Sequence, residues 1–365
     1  MIFLNILAFL LGLALVIFTL ASAIRTFVLP RSAPDGLTRI VFVTMRRLFN
    51  IPLHFAKTYE ERDRILAYYA PVSLLLLLPT WLALVLTGYM GMFWAIRPED
   101  APFMLSGSSL FTLGFAREES IASTLLTYSE ATIGLILVAL LIAYLPTMYD
   151  AFARREHLVA LLEVYSGSPP SALEMILRIN RIHQLGSMPD FWSRWEMWFS
   201  EVAESHTTLA ALVFFRSSQP HYSWVNAAGV VMDAGALILA AVETPWEPNI
   251  ALAIRSGYLC LQRIADFFRF PYKTQPIFPE DSISISREEF DEALDTLAAA
   301  GVPLKADREQ AWRDFAGWRV NYDRVLLVIA GIAMVPESPW VGDRPIDSEV
   351  QGLVVFRGRR VKDSD

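Results

Sequence analysis

Residues 101–116 read Ala101-Pro102-Phe103-Met104-Leu105-Ser106-Gly107-Ser108-Ser109-Leu110-Phe111-Thr112-Leu113-Gly114-Phe115-Ala116. The run Ala101–Phe111 has the length of a short helix. It is too short to cross a hydrocarbon core, which takes about 20 residues. Long apolar segments flank it on both sides. One runs from about Leu66 to Ile96 between Arg64 and Arg97, and the other from about Ile121 to Met148 with Glu130 as its one charge. This order predicts a membrane helix, a short helix that dips into the membrane, a loop over residues 112–116, and a second membrane helix.

The wider composition agrees with a membrane setting. The chain has 365 residues, 54% of them hydrophobic and 19% charged, and its mean hydropathy is +0.38. Soluble domains carry about 25% charged residues. The first apolar segment of the chain, Ile2 to Ile24, contains no charge. At about 1.5 Å per residue it is long enough to span. Ala21-Ser22-Ala23 resembles a signal-peptide cleavage site, but residues 1–5 lack the Lys or Arg that such a signal carries. The single cysteine, Cys260, excludes an intrachain disulfide, and a net charge of −7 does not suggest a nucleic-acid partner.

Charge sets the expected topology. Residues 25–65 hold Arg25, Arg31, Arg39, Arg46, Arg47, Lys57, Arg62 and Arg64, and Arg154 and Arg155 follow the third span. Short basic loops stay in the cytoplasm. Three crossings satisfy these cues, with residues 97–120 outside and the C-terminal part inside. Leu37–Phe55 mixes Ile40, Val41, Val43, Met45, Leu48 and Phe49 with Arg39, Arg46 and Arg47. It reads either as an amphipathic helix on the inner leaflet or as a solvated linker. Pro71 and Pro79 are candidate kinks in the second span, and Pro146 kinks or ends the third.

From Glu156 onward there are 19 basic and 28 acidic side chains, and helical signals dominate. Ser286-Arg287-Glu288-Glu289 forms a capping box before Phe290, Leu294 and Leu297, with Gly301 and Pro303 as the stop. Asp307 suits the cap of a helix carrying Trp312, Phe315 and Trp318. Phe191, Trp192, Trp195, Trp198 and Phe199 share one helix face, as core residues do. Val225–Val242 is apolar apart from Asn226 and Asp233 and reads as a buried helix before a fourth crossing. The tail from Pro336 suits short strands or a mobile end. Glu201, Glu204, His206 and His221 do not match a metal spacing, so no metal site is expected. Phosphate loop, dinucleotide fingerprint and nucleophile elbow are all missing, so the chain is not expected to be an enzyme.

The segment Ser108-Ser109-Leu110-Phe111-Thr112-Leu113-Gly114-Phe115-Ala116 resembles the pore loop of potassium channels, in which a pore helix ends in T-x-G-[FY]-G. Thr112 matches the threonine, Gly114 the first glycine and Phe115 the aromatic residue. Leu113 replaces valine, Ala116 replaces the second glycine, and Arg117 stands where an aspartate usually follows. The resemblance covers about residues 66–155. It implies an all-α membrane protein with three transmembrane helices, a re-entrant pore helix and a filter loop, followed by a mainly helical cytosolic domain. The expected domains are an N-terminal span (1–28), a basic linker (29–65), a pore module (66–150) and an acidic helical domain (151–365). Within the module lie an outer helix (66–96), a pore helix (101–112), a filter (112–116) and an inner helix (121–149).

By the same resemblance, Thr112, Leu113, Gly114, Phe115 and Ala116 form a carbonyl-lined filter, with one strand from each of four subunits. Arg117, Glu118 and Glu119 stand at the pore mouth. A ring of Arg117 opposes cation entry, and Glu118 and Glu119 offset it. Gly134 is either the inner-helix hinge or a close-packing point. Glu130, a carboxylate inside a span, is expected to brace the filter or to pair with Arg117 across subunits, or, at the outer interface, to be solvated. The expected function is a tetrameric channel for monovalent cations in the inner or plasma membrane. It needs no cofactor beyond the permeant ion, K+ or Na+. Its partners are the bilayer, copies of itself, and a ligand or protein at the cytoplasmic C-terminal domain. The departures at Ala116 and Arg117 leave selectivity open. A non-conducting receptor or scaffold on a degenerate channel module is the alternative.

Overall fold

A computed structural model describes residues 2–29, 35–96, 101–116, 120–182 and 188–344. Among these residues the chain is helical and has no strand, only an isolated bridge between Val242 and Leu304. The described residues from Pro336 onward form irregular chain and turns rather than strands. Two compact units divide the chain. The first holds residues 1–55 and 67–150, and the second holds 56–66 and 151–365.

The first unit contains α1 (Ile2–Phe27), α2 (Gly36–Phe55), α4 (Tyr69–Ile96), α5 (Pro102–Leu110) and the front of α6 (Ile121–Ser166). Helix α1 packs along α4 at a glycine crossing. A Cβ added to Gly12 would stand 2.3 Å from the Gly88 carbonyl oxygen, and one added to Gly88 would stand 2.8 Å from that of Gly12. Close approach of this kind is how helices associate without a hydrophobic driving force. Farther along α1, Ser22 donates to Asp35 at 2.6 Å and receives the Trp81 indole N–H at 3.1 Å. Asp35 also accepts from the Thr38 amide, which caps the start of α2.

The second apolar segment is broken rather than continuous. Helix α3 (Tyr59–Ala67) ends at Ala67, and α4 begins at Tyr69. Pro71 explains the break, because it has no N–H and its ring clashes with the carbonyl four residues back, that of Ala67. The expected linker also splits, since residues 56–66 join the second unit. There Arg216 pairs with Asp63 and Tyr59 and donates to the Ala333 and Met334 carbonyls. Helix α6 does not stop near residue 149. It continues through Pro146 to Ser166 because Ala151, Val159 and Leu162 have buried positions to fill.

Four helical segments are long and apolar enough to cross a membrane: Ile2–Phe27, Tyr59–Ile96, Ile121–Ser166 and Trp224–Ala241. The first three are mostly unburied, with at most 33% of the apolar window covered. Leu10, Leu11, Leu75, Leu125, Leu135 and Ile142 all stand exposed. Contiguous apolar surface of this extent marks a membrane protein.

The fourth is different. Helix α9 (Trp224–Ala241) is 94% buried within the second unit. Around it lie α7 (Ala172–Arg181), α8 (Pro189–Thr208), α10 (Pro248–Phe268), α11 (Arg287–Ala299), α12 (Arg308–Arg319) and α13 (Asp323–Ala333). A one-turn 3-10 segment, Ala210–Phe214, follows α8. Trp192, Trp195, Trp198 and Phe199 are core, as their spacing predicts. Asp233, the one acid in α9, is paired with Arg319 at 2.5 Å and accepts the Tyr322 hydroxyl at 2.8 Å. Arg319 also donates to Asp323 at 2.7 Å and to the Trp340 carbonyl at 2.8 Å. Burial opposes the Arg319 charge, and the two carboxylates outweigh it, so its pKa lies above the ordinary arginine value.

Removing one member of a buried pair leaves the other charge unpaired, at about 3–5 kcal/mol. Asp233→Ala is therefore expected to destabilise the second unit by that amount in denaturant unfolding. The double variant Asp233→Leu/Arg319→Met should recover most of the loss.

Candidate functional site

The site candidate is α5 and the loop after it. Three serines lie in the second half of this helix, and two of them, Ser106 and Ser109, hold it between α4 and α6. Ser106 donates to Glu130 of α6 at 2.5 Å and lies 3.2 Å from the Leu86 carbonyl of α4. Ser109 donates to the Thr127 carbonyl at 2.7 Å. Ser108 turns the other way, to the loop. All three are buried. Apolar surface alone would let a nine-residue helix slide, whereas directional hydrogen bonds fix its depth and rotation.

The loop folds back on the C-terminal end of α5. Thr112 N–H donates to the Ser109 carbonyl at 2.9 Å, and Leu113 N–H donates to the Ser108 carbonyl at 2.8 Å. Gly114 N–H reaches the same carbonyl at 3.4 Å, and Ala116 N–H donates to the Ser108 hydroxyl at 3.1 Å. Four amides of the loop are thus turned toward α5. No described residue donates to the carbonyl oxygens of Thr112, Leu113, Gly114 or Phe115. Thr112 and Gly114 sit at φ +54° and +71°. Positive φ at alternate residues turns successive peptide planes the same way, as in backbone nests. Gly114 adopts it without cost. Thr112 bears a cost, which its hydroxyl offsets in part by donating to the Phe111 carbonyl at 2.8 Å. The side chains of Phe111, Leu113 and Phe115 stand 52%, 63% and 61% exposed.

The structure places the sequence candidates unevenly. Thr112, Leu113, Gly114, Phe115 and Ala116 form one loop. Arg117, Glu118 and Glu119 lie outside the described residues. Glu130 is fully buried beside Ser106, and its Oε2 has no hydrogen-bond partner among described residues. Gly134 is a packing point, since a Cβ there would stand 2.5 Å from the Leu110 carbonyl oxygen. Pro146 lies three turns further along α6. Ser106 is the residue that sequence reasoning overlooked. Its signal was three serines within four positions of an otherwise apolar nine-residue helix.

In the second unit, Glu201 and Glu204 are exposed while His206 is buried. No group of metal-holding side chains occurs among the described residues. Arg155 lies beside the His206 Nε2 at 3.2 Å and donates to the Leu212 and Phe215 carbonyls at 2.8 Å each. Ser205 lies 3.1 Å from the other ring nitrogen. Burial first, and the Arg155 charge second, push the His206 pKa well below its ordinary 6.5. Glu163 and Tyr222 bond to one another at the surface. Scans against protein-family models, curated proteins and solved structures find no match to this chain.

Two outcomes follow. Gly134→Val overpacks the α5–α6 contact, at about 1–3 kcal/mol. Hydrogen exchange over residues 105–116 should quicken, while unfolding of the second unit stays unchanged. For His206, the unfolded chain takes up a proton near pH 6.5 and the folded chain resists it. Stability from this group is complete above pH 6.5 and falls as pH drops below it. His206→Gln should flatten that acid limb in unfolding curves taken between pH 7 and 5.

Proposed function

We propose that the chain is one subunit of a homotetrameric pore-loop channel for monovalent cations, potassium-channel-like in plan. The loop of Thr112, Leu113, Gly114, Phe115 and Ala116 would line its narrowest part. The observation that carries this reading is the loop's hydrogen bonding. Four of its five amides, those of Thr112, Leu113, Gly114 and Ala116, are tied to Ser108 and Ser109, and four consecutive carbonyls are left without a described donor. Carbonyl oxygens free of internal partners are the groups that replace an ion's hydration shell. One copy supplies too few of them, so the reading requires several copies around an axis. The exposed Phe111, Leu113 and Phe115 give such copies apolar surface to cover.

In this reading α1, α4 and the front of α6 cross the inner or plasma membrane. The second unit is cytoplasmic, following the basic segments at 25–65 and 154–155. It assembles or gates the pore, driven by a ligand or protein. Glu130, held by Ser106, keeps α5 at fixed depth. The ion gradient drives passage and no covalent chemistry takes place.

One contact favours a non-conducting scaffold instead. The Ser108 hydroxyl, which accepts from the Ala116 amide, also approaches the Ala116 carbonyl at 3.5 Å. That oxygen is thereby drawn away from the row of free carbonyls. Purified protein in liposomes distinguishes the two. A channel is expected to pass K+ or Na+ as a tetramer, and Gly114→Asp should abolish flux while the tetramer persists. A tetramer silent in every ligand and pH condition supports the scaffold. A monomer silent in every condition overturns both.

A further inference from the structure

Helix α2 carries two apolar faces, and the described residues cover only one of them. On the covered face Met45 is buried, and Phe42 and Phe49 stand edge-on to the Tyr69 ring at 6.1 and 5.8 Å. The Tyr69 hydroxyl donates to the Phe42 carbonyl at 3.2 Å, and Arg46 lies over the same ring at 5.4 Å. The other face carries Ile40, Leu48, Ile51 and Phe55. At 100° per residue these four fall within about an 80° arc, roughly opposite Phe42 and Phe49. Their exposures are 62%, 52%, 61% and 75%.

The charges around this stripe have one sign. Residues 36–55 contain Arg39, Arg46, Arg47 and His54 and no acid. Arg46 is engaged on the packed side. Arg47 borders the exposed stripe, and Arg39 lies on the polar flank beyond it. The nearest acid in sequence, Asp35, is already engaged as the cap of this helix and as the acceptor for Ser22.

We infer that this face of α2 lies in the interfacial layer of a bilayer rich in anionic lipid. Ile40, Leu48, Ile51 and Phe55 enter among the upper acyl chains, and Arg39 and Arg47 hold lipid phosphates. An apolar stripe with cations along one flank is the pattern of an interfacial helix. The guanidinium fork matches phosphate oxygens two at a time. Charge complementarity decides the occupant. A second copy laid on this face would oppose arginine with arginine, with no acid from α2 to pair them. The same compact unit also contains α1 and α4, whose exposed apolar side chains require lipid.

The full-length chain offers a direct test. Its one cysteine, Cys260, is buried, so a thiol-reactive bimane reports from Ile51→Cys or Phe55→Cys alone. Each labelled protein is reconstituted in mixed phosphatidylcholine–phosphatidylglycerol bilayers, with bromine on the acyl chains of one lipid at a time. Both labels are expected to be quenched, and brominated phosphatidylglycerol should quench several-fold more than brominated phosphatidylcholine at equal mole fraction. Each arginine near an anionic surface favours it by about fivefold, so Arg39→Gln/Arg47→Gln should remove the preference. That variant should keep quenching by phosphatidylcholine and an unchanged unfolding midpoint, which separates lost recognition from lost fold. Equal quenching by both lipids in the unsubstituted arginine background overturns the anionic assignment. Absent lipid quenching overturns the inference, whether energy transfer between labelled copies shows a second chain on the face or its absence shows a solvated one. Ion flux enters none of these readings, so a silent pore leaves the result intact.

Discussion

A polar group carried on an apolar helix has to find its partner within the protein, because lipid offers none and a dry core offers none either. Most features of this chain follow from that constraint. Ser106, Ser108 and Ser109 sit on a helix of nine residues with little apolar area to anchor it. Their hydroxyls reach Glu130, the Thr127 carbonyl and the loop, and so convert a weakly held segment into one of defined depth. The loop after α5 then has four of its amides turned back on that helix. The carbonyls of Thr112, Leu113, Gly114 and Phe115 are left without a donor among the described residues.

The same constraint with full charges organises the second unit. Asp233 on the all-buried α9 would be prohibitive alone. Arg319 answers it, Tyr322 and Asp323 complete the set, and the Trp340 carbonyl accepts from the remaining guanidinium nitrogen. Helices α9 and α12, the start of α13 and the turn at Trp340 are tied together by one arginine. Arg155 does similar work for the 3-10 segment, whose terminal carbonyls it caps.

Local signals were legible where one short stretch contains the whole physics. The box at Ser286 and Glu289 closes in both directions, and Asp307 caps the Gln310 amide. The aromatic stripe on α8 is core because four large rings, Trp192, Trp195, Trp198 and Phe199, share one face, with Phe191 packed at its edge. The loop at residues 112–116 was legible as a feature, from its position between two apolar segments. Partners remote in sequence were not legible. Nothing near Asp233 announces an arginine 86 positions later, and nothing near residue 60 announces that α3 belongs with Arg216 rather than with the linker. The break at Tyr68 was within reach, since Pro71 stands four residues after Ala67.

The sequence by itself determined that this is a helical membrane chain, which segments are apolar enough to span, where a short helix and turn interrupt them, and that an acidic helical portion follows. Those are properties of composition and period, and they need no knowledge of what lies opposite. Only the tertiary structure decided that Val225–Val242 is wrapped by protein, that Gly134 receives the end of α5, that Glu130 meets Ser106, and that one face of α2 is left uncovered. The physical reason is the same in each case. An apolar or small residue reads alike whether lipid, a neighbouring helix or a backbone carbonyl covers it, and only the packed arrangement says which.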